Sequence, residues 1–228
     1  LNAVTNSGSA VLVKNTDHYN STYLADGAYT GISGREFVAR TAGAYGNGLS
    51  VSVCPSATAY EQEAVTTVND SAVSVGDTTI TMTSGTNINV GDILAFSTTA
   101  ATNDYDDGIE YEVTAVSSND ITIKKRVGTG GLTRVVIDGA NVRRRWSHYD
   151  SVNGAPGTSP DVLAAGGSND ELHIVVIDAD GSISGTKGEV LEVYEKVSKA
   201  KDAKDSGGSN NFYPEVIGRG KSLEVFKF

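Results

Sequence analysis

Between residues 62 and 127 Thr, Ser, Val and Ile dominate, in short alternating runs separated by Gly-Asp or Asn-Asp pairs. That pattern constrains the fold more than any other feature of the chain. β-Branched residues in a period of two suit half-buried strands, and few helix signals survive between them. Thr79-Ile80-Thr81-Met82, Asp92-Ile93-Leu94-Ala95-Phe96, Tyr111-Glu112-Val113-Thr114-Ala115-Val116 and Ile121-Thr122-Ile123-Lys124 each predict a strand of a small barrel or sandwich. The segment reads as a compact all-β insertion. It leaves residues 1–61 and 128–228 as the first and second segments of a body, and the fold class as α+β, predominantly β.

The flanks carry a different grammar. Ala10-Val11-Leu12-Val13 predicts a strand, followed by a polar loop through Asp17, Asn20 and Ser21. Phe37-Val38-Ala39-Arg40 leads into the glycine-rich turn Gly43–Gly48, where Asn47-Gly48 can supply positive φ angles, and then into the alternating strand Leu49–Val53. Gly128-Thr129-Gly130-Gly131 reads as a linker leaving the insertion, and the polar stretch before residue 170 as an extended loop. Leu172–Ile177 is a run of strong strand formers, and Asp180-Gly181 predicts a turn into Ser182-Ile183-Ser184, giving a hairpin. Val190, Val193, Tyr194 and Val197 fit helical spacing, yet Leu191, Val193, Glu195 and Val197 also alternate. Asn210–Gly218, with its early Pro214 and closing glycine, predicts a helix of one or two turns, and Leu223–Phe226 a final strand.

Charge narrows the function. Eighteen Lys and Arg stand against 28 Asp and Glu in 228 residues, a formal net charge of -10, which disfavours a nucleic-acid partner. The concentrated positive run, Arg143-Arg144-Arg145 beside Trp146, suits a solvated face or a protein contact better than a phosphate site. The single cysteine, Cys54, ends a strand and cannot form an intramolecular disulfide. No apolar stretch approaches the roughly 18 residues that cross a bilayer, and Leu1-Asn2-Ala3-Val4 lacks a basic region followed by a hydrophobic one, so a soluble protein without an export signal is expected. The start at Leu1 and the strand-like close at Glu224–Phe228 predict that both ends are cut from something longer.

Residues that could carry chemistry have plainer explanations. Asp178-Ala179-Asp180-Gly181-Ser182-Ile183-Ser184-Gly185-Thr186-Lys187-Gly188-Glu189 superficially resembles a calcium-binding EF-hand loop, but Ile183 holds the position that needs glycine, and strand-like sequence precedes it. A hairpin turn is favoured. His18, His148 and His173 share no metal-like spacing with one another or with Cys54. Ser147, His148 and Asp150 lie too close in sequence to face one another as nucleophile, base and orienter. The acidic residues Asp104, Asp106, Asp107 and Glu110 could serve a carboxylate hydrolase, although acidic loops are usually solvated. Asn20-Ser21-Thr22 and Asn69-Asp70-Ser71 match a glycosylation acceptor pattern that matters only in a secreted eukaryotic protein. No catalytic, cofactor-binding or metal residue is therefore assigned, no cofactor is expected, and the chain reads as a non-enzyme.

Two stretches go beyond generic β-protein grammar. The first is Phe37-Val38-Ala39-Arg40-Thr41-Ala42-Gly43-Ala44-Tyr45-Gly46-Asn47-Gly48-Leu49-Ser50-Val51-Ser52-Val53. The second runs from Leu172 through Asp178, Asp180-Gly181, Ile183, Gly185-Thr186-Lys187-Gly188 and Val190-Leu191-Glu192 to Ser198-Lys199-Ala200, Gly208–Tyr213 and Val216-Ile217. Both resemble the contractile tail sheath proteins of T-even-like and cyanobacterial myovirus bacteriophages, over roughly residues 1–60 and 130–228. The resemblance implies a sheath-type body of mixed α/β structure, with 62–127 as a peripheral insertion. It further implies a subunit that stacks as hexameric rings around a tail tube on a baseplate. Its partners would be other sheath subunits, the tube and the baseplate, and its place the virion, after assembly in the bacterial host cytoplasm. The terminal extensions and tube-facing domain of that family are not recognisable, so a middle fragment that folds without polymerising is expected. A rival reading is a carbohydrate- or cell-surface-binding β-module, against which Phe96, Tyr105 and Tyr111 are spread out as core aromatics are.

Overall fold

The computed structural model describes residues 2–6, 9–13, 37–39, 48–105, 107–219 and 223–225. In chain order the strands are β1 (Asn2–Asn6), β2 (Ser9–Val13), β3 (Phe37–Ala39), β4 (Leu49–Cys54), β5 (Glu61–Thr67), β6 (Thr79–Thr81), β7 (Ile93–Ala100), β8 (Tyr111–Ser117), β9 (Asp120–Lys125), β10 (Ala140–Arg145), β11 (Glu171–Asp178), β12 (Glu189–Ser198) and β13 (Leu223–Val225). Short helices α1 (Ala57–Tyr60), α2 (Pro160–Ala164) and α3 (Tyr213–Ile217) interrupt them. The fold is predominantly β, and every paired strand described is antiparallel. No described helix is long and apolar enough to cross a membrane. The chain divides into two compact units, residues 1–55 with 156–228, and residues 56–155. The second reaches beyond the 62–127 read from the sequence on both sides, because β5 begins at Glu61 and pairs with β10, which ends at Arg145. The loop predicted from Asp17 to Ser21 and most of the Gly43–Gly48 turn lie outside the described residues.

In the first unit β12, β11 and β4 form a three-stranded sheet, β3 pairs with β13, and β1 with β2. Side chains alternate across a strand, so Leu172, Ile174 and Val176 share one face of β11. They pack with Val197 and Ile217, and with Leu49, Val51 and Tyr194 beside them. Helix α3 contributes the buried Pro214 and Ile217 to the unit, with Pro214 in its first turn where no backbone donor is needed. The segment 190–197, which fits two periods in the sequence, is strand. Its register against β11 slips twice, between Leu172 and Ile174 and between Val176 and Ile177. At the first slip Lys196 adopts φ 49. Its N–H donates to His173 Nδ1 at 3.0 Å and its carbonyl accepts from Asn211 Nδ2 at 3.0 Å, so both sides of the bulge are held.

The second unit is a six-stranded sheet in the order β5-β10-β7-β8-β9-β6. Its two outer strands meet where each ends: Val68 bridges Met82, Asn69 N–H donates to Thr81 O, and Thr83 N–H to Thr67 O, both at 2.9 Å. Inside lies one apolar cluster built on Phe96, Ile80, Met82, Leu94, Ile121 and Val113. Phe96 packs against Tyr111 with ring centroids 5.6 Å apart. Two expectations change here. Gly128–Gly131 is no exit linker: Leu132 is buried, and a Cβ on Gly131 would sit 2.1 Å from Asp77 O, so the segment is packed into the unit. The Arg143–Arg145 run is the end of a central strand, and its contacts lie within the unit.

Because Phe96 is 1% exposed in a closed apolar cluster, Phe96→Ala should destabilise the second unit by about 3–5 kcal/mol. Urea unfolding followed by the exchange of β7 and β8 amides measures that loss; a cost below about 1 kcal/mol would mean that Phe96 is not packed as described.

Candidate functional site

The two halves of the first unit meet at a glycine. Ala179 N–H donates to Gly48 O at 2.7 Å, and a Cβ on Gly48 would fall 2.5 Å from Asp180 Oδ1 and 2.7 Å from Ser182 Oγ. A larger residue there would have to displace the Asp180 and Ser182 side chains. The loop it touches, 179–188, joins β11 to β12 and is organised by one carboxylate. Asp178 Oδ1 accepts from Gly181 N–H at 2.9 Å, and Oδ2 accepts from Ile183 N–H at 2.9 Å and from Ser184 N–H and Oγ at 2.6 and 2.8 Å. Burial alone would raise this carboxyl, but the hydrogen bonds from Ser184, Ile183 and Gly181 to its charged form outweigh burial and hold it at about 2. The hairpin expected here is present, but the strand that returns is β12. Ser182-Ile183-Ser184 belongs to the loop itself, because their amides turn inward to Asp178 or its neighbour Asp180. Asp178 is spent on its own backbone, and no group of three or more His, Cys, Asp and Glu that could hold a metal occurs among the described residues.

A second carboxylate fixes the other end of the same strand. Asp170 is buried and accepts from Ser159 N–H and Oγ, both at 2.8 Å, and from Ser198 Oγ. These bonds also hold its carboxyl below the usual range against the opposing effect of burial. They tie the start of α2 to the end of β12. The set thereby joins Ser159, Asp170 and Ser198, three residues distant in sequence.

In the second unit the arginine run organises the place where the chain enters and leaves. Arg144 faces inward at the end of β10, 7% exposed, and donates to the carbonyls of Thr58 and Ala59 in α1. Asp92 Oδ1 lies 3.7 Å from its Nη1, and burial pushes that carboxyl up despite hydrogen bonds from Asn89. Arg145 pairs with Glu61 and, at 3.0 Å, with Glu110; Arg126 reaches Glu110 at 2.7 Å and Asp150 at 2.6 Å. The ring of Tyr149 lies 4.8 Å from the guanidinium carbon of each arginine, and its hydroxyl donates to Glu110 at 2.7 Å. Arg143 covers the Tyr105 ring at 4.6 Å. Sequence reasoning missed this cluster because its members come from five separate segments; the signal was the alternation of Arg143 to Arg145 within a strand.

The other singled-out residues disperse. Asp107 pairs with Arg134, Asp104 accepts from Thr98 and Glu110 is engaged by two arginines, while Asp106 lies outside the described residues. His148 packs edge-on against Trp146 at 5.5 Å, and burial holds its imidazole below the usual value. Asp150 pairs with Arg126. Phe96, Tyr105 and Tyr111 are buried. His18 lies outside the described residues. No protein-family model, curated protein or solved structure matches this chain.

Two outcomes follow from these contacts. Arg144→Ala leaves Asp92 buried without its cation and removes the donor to two α1 carbonyls, and should cost about 3–5 kcal/mol in denaturant unfolding of the second unit. Asp178→Asn should destabilise the first unit at neutral pH and speed exchange of the Ile183 and Ser184 amides. A carboxyl held at about 2 adds stability above the ordinary aspartate range, lost as pH falls through about 2. The difference between wild type and Asp178→Asn should therefore shrink from pH 5 towards pH 2; a constant difference would refute the role of its charge.

Proposed function

We propose that this chain is a structural subunit of a bacteriophage contractile tail sheath, a self-assembling protein and not an enzyme. One observation carries the reading. The two stretches that resemble sheath proteins, separated by more than a hundred positions, are neighbours: β4 pairs with β11 from Leu49–Asp178 to Cys54–His173, and Gly48 fits against the Asp180 loop. The residues between them fold as a unit of their own. A body formed from distant segments, with a peripheral insertion looped out of it, is the organisation that the resemblance implies. The joined outer strands of the second unit support reading that insertion as a small closed barrel.

The partners on this reading are further copies in hexameric rings, the tail tube and the baseplate, in the virion and during assembly in the host cytoplasm. Rigid modules suit it, because packed interfaces switch between discrete arrangements and do not deform continuously. A glycan-binding module is less well supported, since Phe96, Tyr105 and Tyr111 are at most 8% exposed and offer no aromatic platform.

Light scattering and negative-stain electron microscopy on this chain and on a version extended at both ends provide the test. Rings or tubes from the extended chain, with this chain remaining unpolymerised, are expected. A monodisperse monomer from both would overturn the proposal.

A further inference from the structure

After Arg145 the chain leaves the sheet of the second unit, held by the buried Trp146 ring, by the edge contact of Tyr149 with Tyr60 and by polar contacts. Trp146 N–H donates to Tyr60 O at 2.8 Å, and Tyr60 Oη donates to Tyr149 O at 3.1 Å. Neither Trp146 nor Tyr149 belongs to the apolar cluster that joins the strands. The contacts converge on Glu110, whose side chain is 15% exposed and which takes Arg145 on one oxygen and Arg126 and Tyr149 on the other. Arg126 in turn grips Asp150. One carboxylate thus connects the segment before β8, the segment after β9, the end of β10 and the 3-10 turn Tyr149–Ser151.

We propose that residues 146–155 form a latch within the second unit, locked to its six-stranded sheet by Glu110, which opens by itself when Glu110 loses its charge while the sheet stays folded. Charge-assisted bonds are the strong ones, and a neutral Glu110 gives up two of them together with the acceptor of Tyr149. Neither the apolar cluster of the sheet nor the backbone bonds that join its outer strands involve Glu110. The inference stands independently of the sheath reading.

The groups facing the latch fix the direction. Burial opposes the charge of Glu110, but Tyr149 and Arg126 outweigh it and hold the carboxyl below its usual value. Its contribution is therefore present above the ordinary glutamate range and is lost as pH falls through that lowered value. Glu63 on β5 is raised by burial and by the neighbouring Glu61, so it neutralises first and relieves repulsion at Glu61, which does not open the latch. Arg145 keeps Glu61 after that step, Arg143 is occupied by Tyr105, and Asp150 faces Arg126 at the surface. His148 lies against Trp146 and titrates below its usual value beside Arg126.

Trp146 is the single tryptophan of the chain and is 6% exposed, so its emission reports the latch directly. Emission wavelength and far-ultraviolet circular dichroism of the whole chain should be followed from pH 7 to 2. In the wild type a red shift is expected while the sheet signal persists. Glu110→Gln should show the red-shifted emission at neutral pH, and its Trp146, Tyr149 and Ser151 amides should exchange about tenfold faster, with those of Val113 and Ile123 unchanged. Tyr149→Phe, which removes one hydrogen bond and keeps the ring, should move the acid step to higher pH. Simultaneous loss of emission and sheet signal in the wild type and Tyr149→Phe would overturn the proposal. So would wild-type emission from Glu110→Gln at neutral pH, or an acid step that disappears in His148→Gln and survives in Glu110→Gln.

Discussion

The pairing of β4 with β11 is the contact on which the first unit depends, because it sets Cys54 opposite His173 and so closes a loop of more than a hundred residues. Closing a flexible loop of that length costs about 4 kcal/mol beyond a constant term. The intervening chain offsets this by folding with its own apolar cluster, so little of it remains flexible when the strands meet. Inside the second unit the same problem recurs and is met by the same means: Glu61 and Arg145, at opposite ends of that unit in sequence, are direct partners on β5 and β10.

Charges are placed where those closures occur. The buried or half-buried ions of the second unit, Arg144 with Asp92 and Glu110 with its two arginines, gather at the entry and exit of the chain, and the apolar cluster supplies the interior. The carboxylates of the first unit follow the same logic at smaller scale, with Asp170 at one end of β11 and Asp178 at the other. Each fixes a change of direction by accepting hydrogen bonds from the backbone that turns. Glu110, Asp170 and Asp178 keep their charge near the core because their donors favour the charged form.

Much of this was legible in the sequence. The alternating runs around Ile80, Val113 and Ile121 are strands because β-branched and aromatic residues in a period of two have one face to bury, and the structure buries it, whereas the apolar run Ile93–Phe96 is buried on both faces. The short helix near Pro214 was marked by its proline and closing glycine. The hairpin after Ile177 was legible as a turn, but its returning strand was not, because Asp178 draws the next residues into a loop and postpones pairing to Glu189. A side chain that binds backbone amides several residues ahead leaves little trace in hydrophobic periodicity.

The segment 190–197 shows why the remaining ambiguity was physical. A bulge adds one residue to a strand, so the core-facing Tyr194 and Val197 are three apart where an unbroken strand would place them two or four apart. Three is also a helical spacing, and the sequence therefore fits both periods. What decides is the partner strand: β11 supplies six consecutive residues in ladder pairing with β4, and only an extended chain can complete its other edge. His173 and Asn211 then satisfy the peptide groups on both sides of Lys196, which the bulge removes from the ladder. Arg144 illustrates the same limit from the other direction. Its position on β10 alternates with Val142 as a core residue should, yet its charge reads as surface until α1 supplies the carbonyls that receive it. In both cases the missing information was a contact made by a residue distant in the chain.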